Sequence, residues 1–436
     1  MISILFGILG IAVLLAIAWT FSESKKNINW KIVLIGIALQ LLFAVFVILT
    51  PWGSIFFDAI GNFFVKIINF TNEGSAFVFG ALSNQDKFDK AFPEILRDEG
   101  VGFIFAFQVL PTIIFFSSLM SVLYHLGLMQ KIVQGMAWIM AKSMNVSGAE
   151  SISVAANVFI GQTEAPLVVR PYVSPMTRSE LLTLMVGGMA TIAGGVLAAY
   201  VSLLGGSDPA QQLLYAKHLL SASIMAAPAT IVISKILVPE KEESKTMGTL
   251  KITVQKTSSN VIDAAATGAA DGLKLALNVA AMLLAFIALI AMINWILSGF
   301  FTDILGISIN GKPISLELLL GYTLSPLAWI IGVPWQDSVV VGSLIGQKVV
   351  LNEFIAYLNL SQLIPTGVLS EKAIIISTYA LCGFANFASI AIQIGGIGGI
   401  APDRRADLAK FGLRAVLGGS LATFMTATIA GVLTSI

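Results

Sequence analysis

The chain has 436 residues, of which 57% are hydrophobic and only 11% charged, with a formal net charge of +1 and a mean hydropathy of +0.90. So little charge does not clothe a water-soluble domain of this size, which excludes a secreted or cytosolic soluble enzyme and leaves a membrane protein. The near-neutral balance gives no basic surface for nucleic acid, and one cysteine, Cys382, excludes an intrachain disulfide framework.

A helix needs roughly 20 apolar residues to cross the hydrocarbon core. In chain order, the uncharged runs predict spans at Ile2 to Phe21, Ile32 to Thr50, Val101 to Met129, Leu181 to Gly206, Leu219 to Ser234, Leu275 to Thr302, Ala373 to Pro402 and Ala415 to Ile436, eight crossings in all. No basic residue precedes the first run, so a retained helix is expected there rather than a signal peptide. Phe56 to Phe70 is aromatic and amphipathic and is expected along the interface. Residues 1–100 therefore hold two spans and an interfacial helix, 101–238 a first repeat, 239–263 a solvated cytoplasmic linker, and 264–436 a second repeat.

Short loops that keep Lys and Arg face the cytoplasm. Ser22 to Lys31 carries Lys25, Lys26 and Lys31, and Asp403 to Arg414 carries Arg404, Arg405, Lys410 and Arg414. With eight crossings, both termini are then expected on the extracytoplasmic side of a plasma (inner) membrane.

Two apolar segments are too interrupted to cross. Ser151 to Thr163 meets Gly161-Gln162-Thr163-Glu164-Ala165-Pro166, and Ser338 to Leu369 is broken by Lys348 and by Asn352-Glu353-Phe354-Ile355-Ala356-Tyr357. Both read as re-entrant hairpins, at 147–172 and 338–369, and irregular backbone at such depth is tolerated only where it lines a cavity or is buried in protein. Each hairpin follows the same tripeptide, Ala137-Trp138-Ile139 or Ala328-Trp329-Ile330. Each precedes a span with a glycine-rich, polar-dotted middle, Gly187 to Gly195 or Gly383 to Ser389, expected as helices broken within 180–204 and 372–398. The shared order of spanning helix, interfacial helix, hairpin, broken helix and spanning helix predicts inverted repeats, because the first hairpin starts on the side of Arg170 and Arg178 and the second on the other. The fold class is thus an all-α polytopic membrane protein with about eight transmembrane helices, two re-entrant hairpins and broken helices at the binding site.

An ionised carboxylate in a bilayer costs roughly 3 kcal/mol or considerably more, so Glu164 and Glu353 need a reason: capping a hairpin turn, binding a ligand, or both. No Arg or Lys lies in the hairpin turns or the broken-helix centres, which argues against a carboxylate or phosphate ligand. Gln162, Thr163, Asn386 and Ser389 add donors and acceptors, and Phe384 and Phe387 offer flat apolar contact, so a neutral sugar carrying an aromatic ring fits. For Phe387 packing is the simpler role. Asn157 and Thr191 are uncharged hard oxygen donors suited to a monovalent coupling cation; a helix-bonded hydroxyl is the alternative for Thr191, and proton coupling through Glu164 is the rival to an ion. His125, His218 and Cys382 read as structural, and Gly342 to Lys348 lacks a phosphate-loop pattern.

The segments Gly161-Gln162-Thr163-Glu164-Ala165-Pro166-Leu167, Ala190-Thr191-Ile192-Ala193-Gly194-Gly195, Asn352-Glu353-Phe354-Ile355-Ala356-Tyr357 and Cys382-Gly383-Phe384-Ala385-Asn386 resemble the concentrative nucleoside transporters, over nearly the whole chain. The resemblance implies a homotrimer in a lipid bilayer whose hairpin-bearing domain slides against a scaffold and carries nucleosides inward on a cation gradient. It implies that Gln162, Thr163 and Glu164 face the nucleobase with Val196 nearby, that Glu353, Asn386 and Ser389 hold the ribose, and that Phe384 lines the pocket. The family's sodium site maps onto Asn157, Ile160, Thr191 and Ile192, partly through backbone oxygens; some members have serine where Thr191 stands, which keeps the hydroxyl. Sodium is the expected coupling ion, with no organic cofactor. The rivals are a proton-coupled nucleoside symporter, an intramembrane glycoside hydrolase using Glu164 and Glu353 as its acid pair, a channel, and a two-hairpin dicarboxylate symporter, which lacks its arginine here.

Overall fold

The computed structural model describes residues 2–83, 88, 104–248, 258–309 and 311–434. Residues 84–87 and 89–103, including the start of the span predicted from Val101, the middle of the linker and the last two residues of the final span lie outside the described residues. The described residues are helical apart from one isolated bridge between Ile309 and Lys312.

The N-terminal part holds α1 (Ile2–Thr20), α2 (Trp30–Leu49) and α3 (Pro51–Phe79). The first repeat holds α4 (Leu110–His125), α5 (Leu128–Met144), the hairpin arm α6 (Gly148–Asn157), the interrupted pair α7 (Arg178–Ala190) and α8 (Gly194–Gly205), and α9 (Pro209–Leu237). The second holds α10 (Val261–Leu297), α11 (Leu316–Ile330), the hairpin arms α12 (Ser338–Val350) and α13 (Glu353–Leu363), the interrupted pair α14 (Glu371–Ala380) and α15 (Phe387–Ile400), and α16 (Arg405–Leu433).

Local chemistry sets these boundaries. Ser147 with Glu150 and Thr177 with Glu180 form reciprocal capping boxes that start α6 and α7. Asn352 accepts from Ile355 N to start α13, and Asn386 accepts from Ser389 N to start α15. The span predicted to run on to Met129 stops at His125, because Gly127 takes a left-handed backbone (φ 78°) and turns the chain into α5. The predicted span Leu219 to Ser234 is the core of the longer α9; Leu275 to Thr302 covers the second half of α10 and runs into the wider π-helical turns of Ser298–Ile304, while α10 begins at Val261, inside the stretch read as linker. Both spans expected to be broken are split, Leu181 to Gly206 into α7 and α8 and Ala373 to Pro402 into α14 and α15.

The first hairpin departs from the regular shape of the second. After α6 its returning arm is two single turns, Ala165–Val168 and Arg170–Val173, whereas the second hairpin returns through the continuous α13. Pro166 and Pro171 explain the difference, since each removes a backbone donor and restarts the helix.

Among the described residues, eight helical stretches are long and apolar enough to cross a membrane, and Pro51–Ser83 is one of them. Its contacts place both of its ends at one end of the molecule. Asp58 pairs with Lys217 at 2.8 Å near the start of α9, and Leu82 O accepts from Gln108 Nε2 at 3.4 Å beside the start of α4. At about 1.5 Å per residue the helix is long enough to cross, yet it joins two helices that start at the same level. Its buried residues Phe57, Gly61, Val65, Ile68 and Ser75 form one stripe.

The two repeats run in opposite directions. The basic segments gather at one end: Glu23 accepts from Arg178 at 3.1 Å and from Arg414, and Arg404 Nη1 donates to Ser174 O at 2.9 Å. The linker joins them, with Gly148 N donating to Thr246 O at 2.8 Å. From that basic end α7 and α16 run side by side, whereas α15 only reaches it at Ile400. Glycines along α16 record the opposed course of α14 and α15, because Gly412 abuts Ile390, Gly419 abuts Ala385 and Gly431 abuts Ile376. Gly7 and Gly10 of α1 abut Val432 and Thr428, so the start of α1 and the end of α16 share the far end.

α4 and α10 pack against each other through small residues. A Cβ on Gly268 would stand 2.6 Å from Ser121 Cβ, and one on Gly272 would stand 2.8 Å from Ile114 Cα. Close backbone approach of this kind is how helices associate in lipid, where burial of apolar surface supplies no drive.

Candidate functional site

The two hairpin tips and the two helix interruptions surround one cavity of about 160 Å³. Gln162, Thr163, Glu164, Val196, Glu353, Phe384, Asn386 and Ser389, all eight of the expected ligand residues, line it. Leu275, Val279, Met282 and Leu283 of α10 close the far side as an apolar wall.

The second hairpin supplies the more enclosed of the two cavity carboxylates. Glu353 is 5% exposed, and its two oxygens are held separately: Tyr200 OH donates to Oε1 at 2.9 Å, and Asn386 Nδ2 donates to Oε2 at 3.0 Å. Tyr200 comes from α8 and Asn386 from the break between α14 and α15, so three elements fix this one side chain. Each carboxylate oxygen has lone pairs left to accept from a ligand.

Glu164 and Thr163 are exposed, unlike the buried Gln162. Glu164 Oε2 accepts from Gly161 N at 2.7 Å, so this acid does cap its own turn, and it lines the cavity as well. The capping and lining roles coexist. The shortened returning arm covers the first tip less than α13 and Phe354 cover the second.

Gln162 and Ser389 join the repeats directly. Gln162 Nε2 donates to Ser389 Oγ at 3.0 Å, and Gln393 Nε2 donates both to Gln162 Oε1 and to Met185 O at 3.0 Å. Gly188 permits this closeness, since a Cβ there would stand 2.7 Å from Gln393 Nε2 and 2.9 Å from Gln162 Cβ.

Asn157 and Thr191 are buried behind the first tip rather than on the cavity wall. Asn157 Nδ2 donates to Ser153 O at 3.0 Å, but its Oδ1 has no hydrogen-bond partner among the described residues. Thr191 Oγ1 donates to Gly187 O at 2.9 Å, the helix-bonded arrangement, which still leaves its lone pairs free. Ile192 is fully buried and Ile160 partly so. An orphaned buried amide oxygen beside the ends of α6 and α7 fits a cation bound by neutral oxygens. Among the described residues no group of three or more His, Cys, Asp or Glu could hold a metal ion.

Phe387 is 48% exposed and does not line the cavity. His218 Nδ1 lies 3.2 Å from Tyr379 OH, and Cys382 is buried with its sulfur 3.7 Å from Ser223 Oγ. Tyr200, Gln393 and the α10 wall are the participants that sequence reasoning misses. Gln393 had a signal, because Asn386, Ser389 and Gln393 recur at helical spacing on one face; Tyr200 lies in an otherwise apolar run and had none. Lys348, read from sequence only as an interruption, is a fully buried cation close to the site.

Inverted hairpins and interrupted helices that enclose a polar cavity within a membrane bundle define a transport protein rather than an enzyme of the bilayer. Family models described as Na+ dependent nucleoside transporter match the chain at residues 9–82 (N-terminus) and 218–431 (C-terminus), and a nucleoside recognition (Gate) model matches residues 106–207. An uncharacterized transporter of Bacillus subtilis, YutK, is 44% identical over 98% of this chain and 99% of its own length. Sodium/nucleoside cotransporter 1 of Rattus norvegicus is 40% identical over 97% of this chain, which spans 63% of that longer protein. The structure of CNTnw in an inward-facing substrate-bound state superimposes with a TM-score of 0.89 at 43% identity, covering 99% of this chain and 98% of that one. A CNTnw variant in an outward-facing state gives 0.90 at 42% identity, covering 100% of this chain and 98% of that one. The chain belongs to the concentrative nucleoside transporter family and is a multi-pass membrane protein.

Proposed function

We propose that this chain is a secondary active symporter that imports nucleosides on a cation gradient, with sodium as the coupling ion, by an elevator-type movement of the hairpin-bearing core against α4 and α10. The observation that carries the reading is the single cavity lined by both hairpin acids and by residues flanking both helix breaks. A nucleoside is neutral, has adjacent hydroxyls on one half and an aromatic ring with carbonyls and nitrogens on the other, and this wall answers both halves.

On this reading the Glu353 carboxylate, fixed by Tyr200 and Asn386, accepts from the ribose hydroxyls, with Ser389 beside it. Gln162, Thr163 and Glu164 face the base, with Gln162 held in one orientation by Gln393. Val196, Phe384 and the α10 wall supply apolar contact. Asn157 and Thr191, with backbone oxygens at Ile160 and Ile192, would hold sodium; uncharged donors of this kind suit a monovalent ion. A cation bound there supplies positive charge behind the first hairpin tip, which couples its occupancy to the position of Gln162, Thr163 and Glu164.

The gathering of basic loops at one end supports a cytoplasmic assignment for that end, hence extracytoplasmic termini in a plasma (inner) membrane. The homotrimer is carried over from the family resemblance alone. The test is radiolabelled uridine uptake into proteoliposomes. A sodium gradient should drive accumulation. Uptake that follows a proton gradient alone would overturn the sodium assignment, and free base and ribose released by the purified protein would overturn transport in favour of hydrolysis.

A further inference from the structure

The nucleoside reading leaves Lys348 without a task, although it is fully buried in the second hairpin. It stands 19 residues after Trp329, and Asn157 stands 19 residues after Trp138. Both belong to the leading arm of their hairpin, α12 and α6 respectively. Both approach the first half of the interrupted helix that follows. A Cβ on Gly187 of α7 would lie 3.2 Å from Asn157 Nδ2, and Lys348 Nζ donates at 2.8 Å to Ala380 O, the last carbonyl of α14.

The direct contacts of the ammonium are neutral. It donates to Thr423 Oγ1 at 3.1 Å and lies 5.7 Å from the Phe424 ring centre. No ion pair among the described residues includes it. A helix-terminal carbonyl, a hydroxyl and an aromatic face are groups that attract a monovalent cation without binding it through a carboxylate. The repeats thus differ in one respect. In the first, the corresponding side chain presents an orphaned acceptor, Asn157 Oδ1; in the second, the acceptors are already engaged by an ammonium that the chain itself carries.

We propose that Lys348 is a resident cation at the second repeat's counterpart of the coupling-ion position, closing that position so that this chain takes up one coupling ion per nucleoside. The inference rests on the symport reading above. It also accounts for charge. With side chains in their ordinary ionised forms, each repeat brings one acid to the cavity, Glu353 or Glu164, and no ion pair among the described residues includes either; the leading arm of the second hairpin also carries the charge of Lys348, whereas the leading arm of the first, Gly148–Asn157, carries no Lys or Arg. A monovalent ion near the first tip supplies there the charge that Lys348 supplies in the second repeat, so the loaded core crosses the bilayer with its net charge compensated and the empty one does not.

Lys348→Asn gives the second repeat the side chain of the first and tests the proposal. Uridine binding and initial uptake are measured against sodium concentration in purified and reconstituted protein, with N-methylglucamine holding ionic strength constant. The wild type should show a sodium order of one, and Lys348→Asn an order near two with a higher half-saturating concentration. A folded, uridine-binding variant whose order stays at one would overturn the proposal. If the variant is too unstable for uptake, its thermal unfolding in detergent should rise more steeply with sodium than that of the wild type, and an equal slope would overturn the proposal. A wild type without sodium dependence would refute the sodium-coupled reading, and this inference with it, whereas a sodium-driven wild type with an unchanged variant order removes this inference alone.

Discussion

Glu353→Gln keeps the shape of the side chain and removes its charge. In the free protein Tyr200 OH and Asn386 Nδ2 both donate to the carboxylate, at 2.9 and 3.0 Å. Glutamine offers one acceptor oxygen, so its NH2 must face one of those donors, and fewer acceptor sites remain for the ribose. A hydrogen bond to a charged group contributes about 1.5–3 kcal/mol, which at about 1.4 kcal/mol per decade weakens uridine binding roughly 10- to 100-fold. The decisive comparison is 2′-deoxyuridine. In the wild type, removing the hydroxyl should cost a similar factor, whereas in Glu353→Gln the two ligands should bind within a few-fold of each other, because substitution and ligand change remove the same contact. Calorimetric titration of both ligands at saturating sodium measures this cycle. Equal discrimination by wild type and variant would refute the ribose role of Glu353, whatever the absolute affinities.

Three further outcomes follow from the geometry. Gly188→Ala puts a methyl group against Gln162 and Gln393, and overpacking of about 1–3 kcal/mol should weaken uridine binding by roughly 5- to 100-fold; unchanged affinity would show that the Gln162 to Gln393 bond does not position the ligand. Asn157→Ala removes the orphaned oxygen, so sodium should no longer raise uridine affinity while the fold persists by circular dichroism, and retained sodium stimulation would dismiss Asn157 as a ligand. Lys235 Nζ lies 2.9 Å from Glu150 Oε2 with side-chain exposures of 5% and 2%, so Lys235→Met leaves a buried carboxylate unpaired at a cost of about 3–5 kcal/mol. Its thermal midpoint in detergent should fall well below that of the wild type, and an unchanged midpoint would count against a paired, desolvated network at the linker.

Much of the architecture is legible because it follows from solvation. Uncharged runs of sufficient length mark helices, the Gly-Gln-Thr-Glu-Ala-Pro stretch marks backbone that cannot stay helical or face lipid, and Asn352 before Glu353 marks the point where the second hairpin turns and a new helix starts. The polar residues around those breaks point to a site because a bilayer gives them no other partner. Hydropathy handles α3 poorly: length and composition permit a crossing, and only its contacts with Lys217 and Gln108, at the same end of the molecule, place it across that end. Ala373 to Pro402 is the opposite case, because its polar-dotted middle marks the break in advance and the chain divides there, with Asn386 capping a new helix.

The order of its residues by itself determined that this protein lives in a membrane, that it turns back twice, and which acids need a reason to be there. Those properties depend on the local cost of putting charge and unpaired backbone into hydrocarbon, which each segment registers alone. Tertiary structure decided which partners meet those demands. Tyr200 reaches Glu353 across 153 positions and Gln393 reaches Gln162 across 231, while Lys348 finds a carbonyl and a hydroxyl where Asn157 finds nothing for its oxygen. A hydrogen bond depends on distance and direction in space, and only the packing of the inverted repeats against one another brings those atoms together.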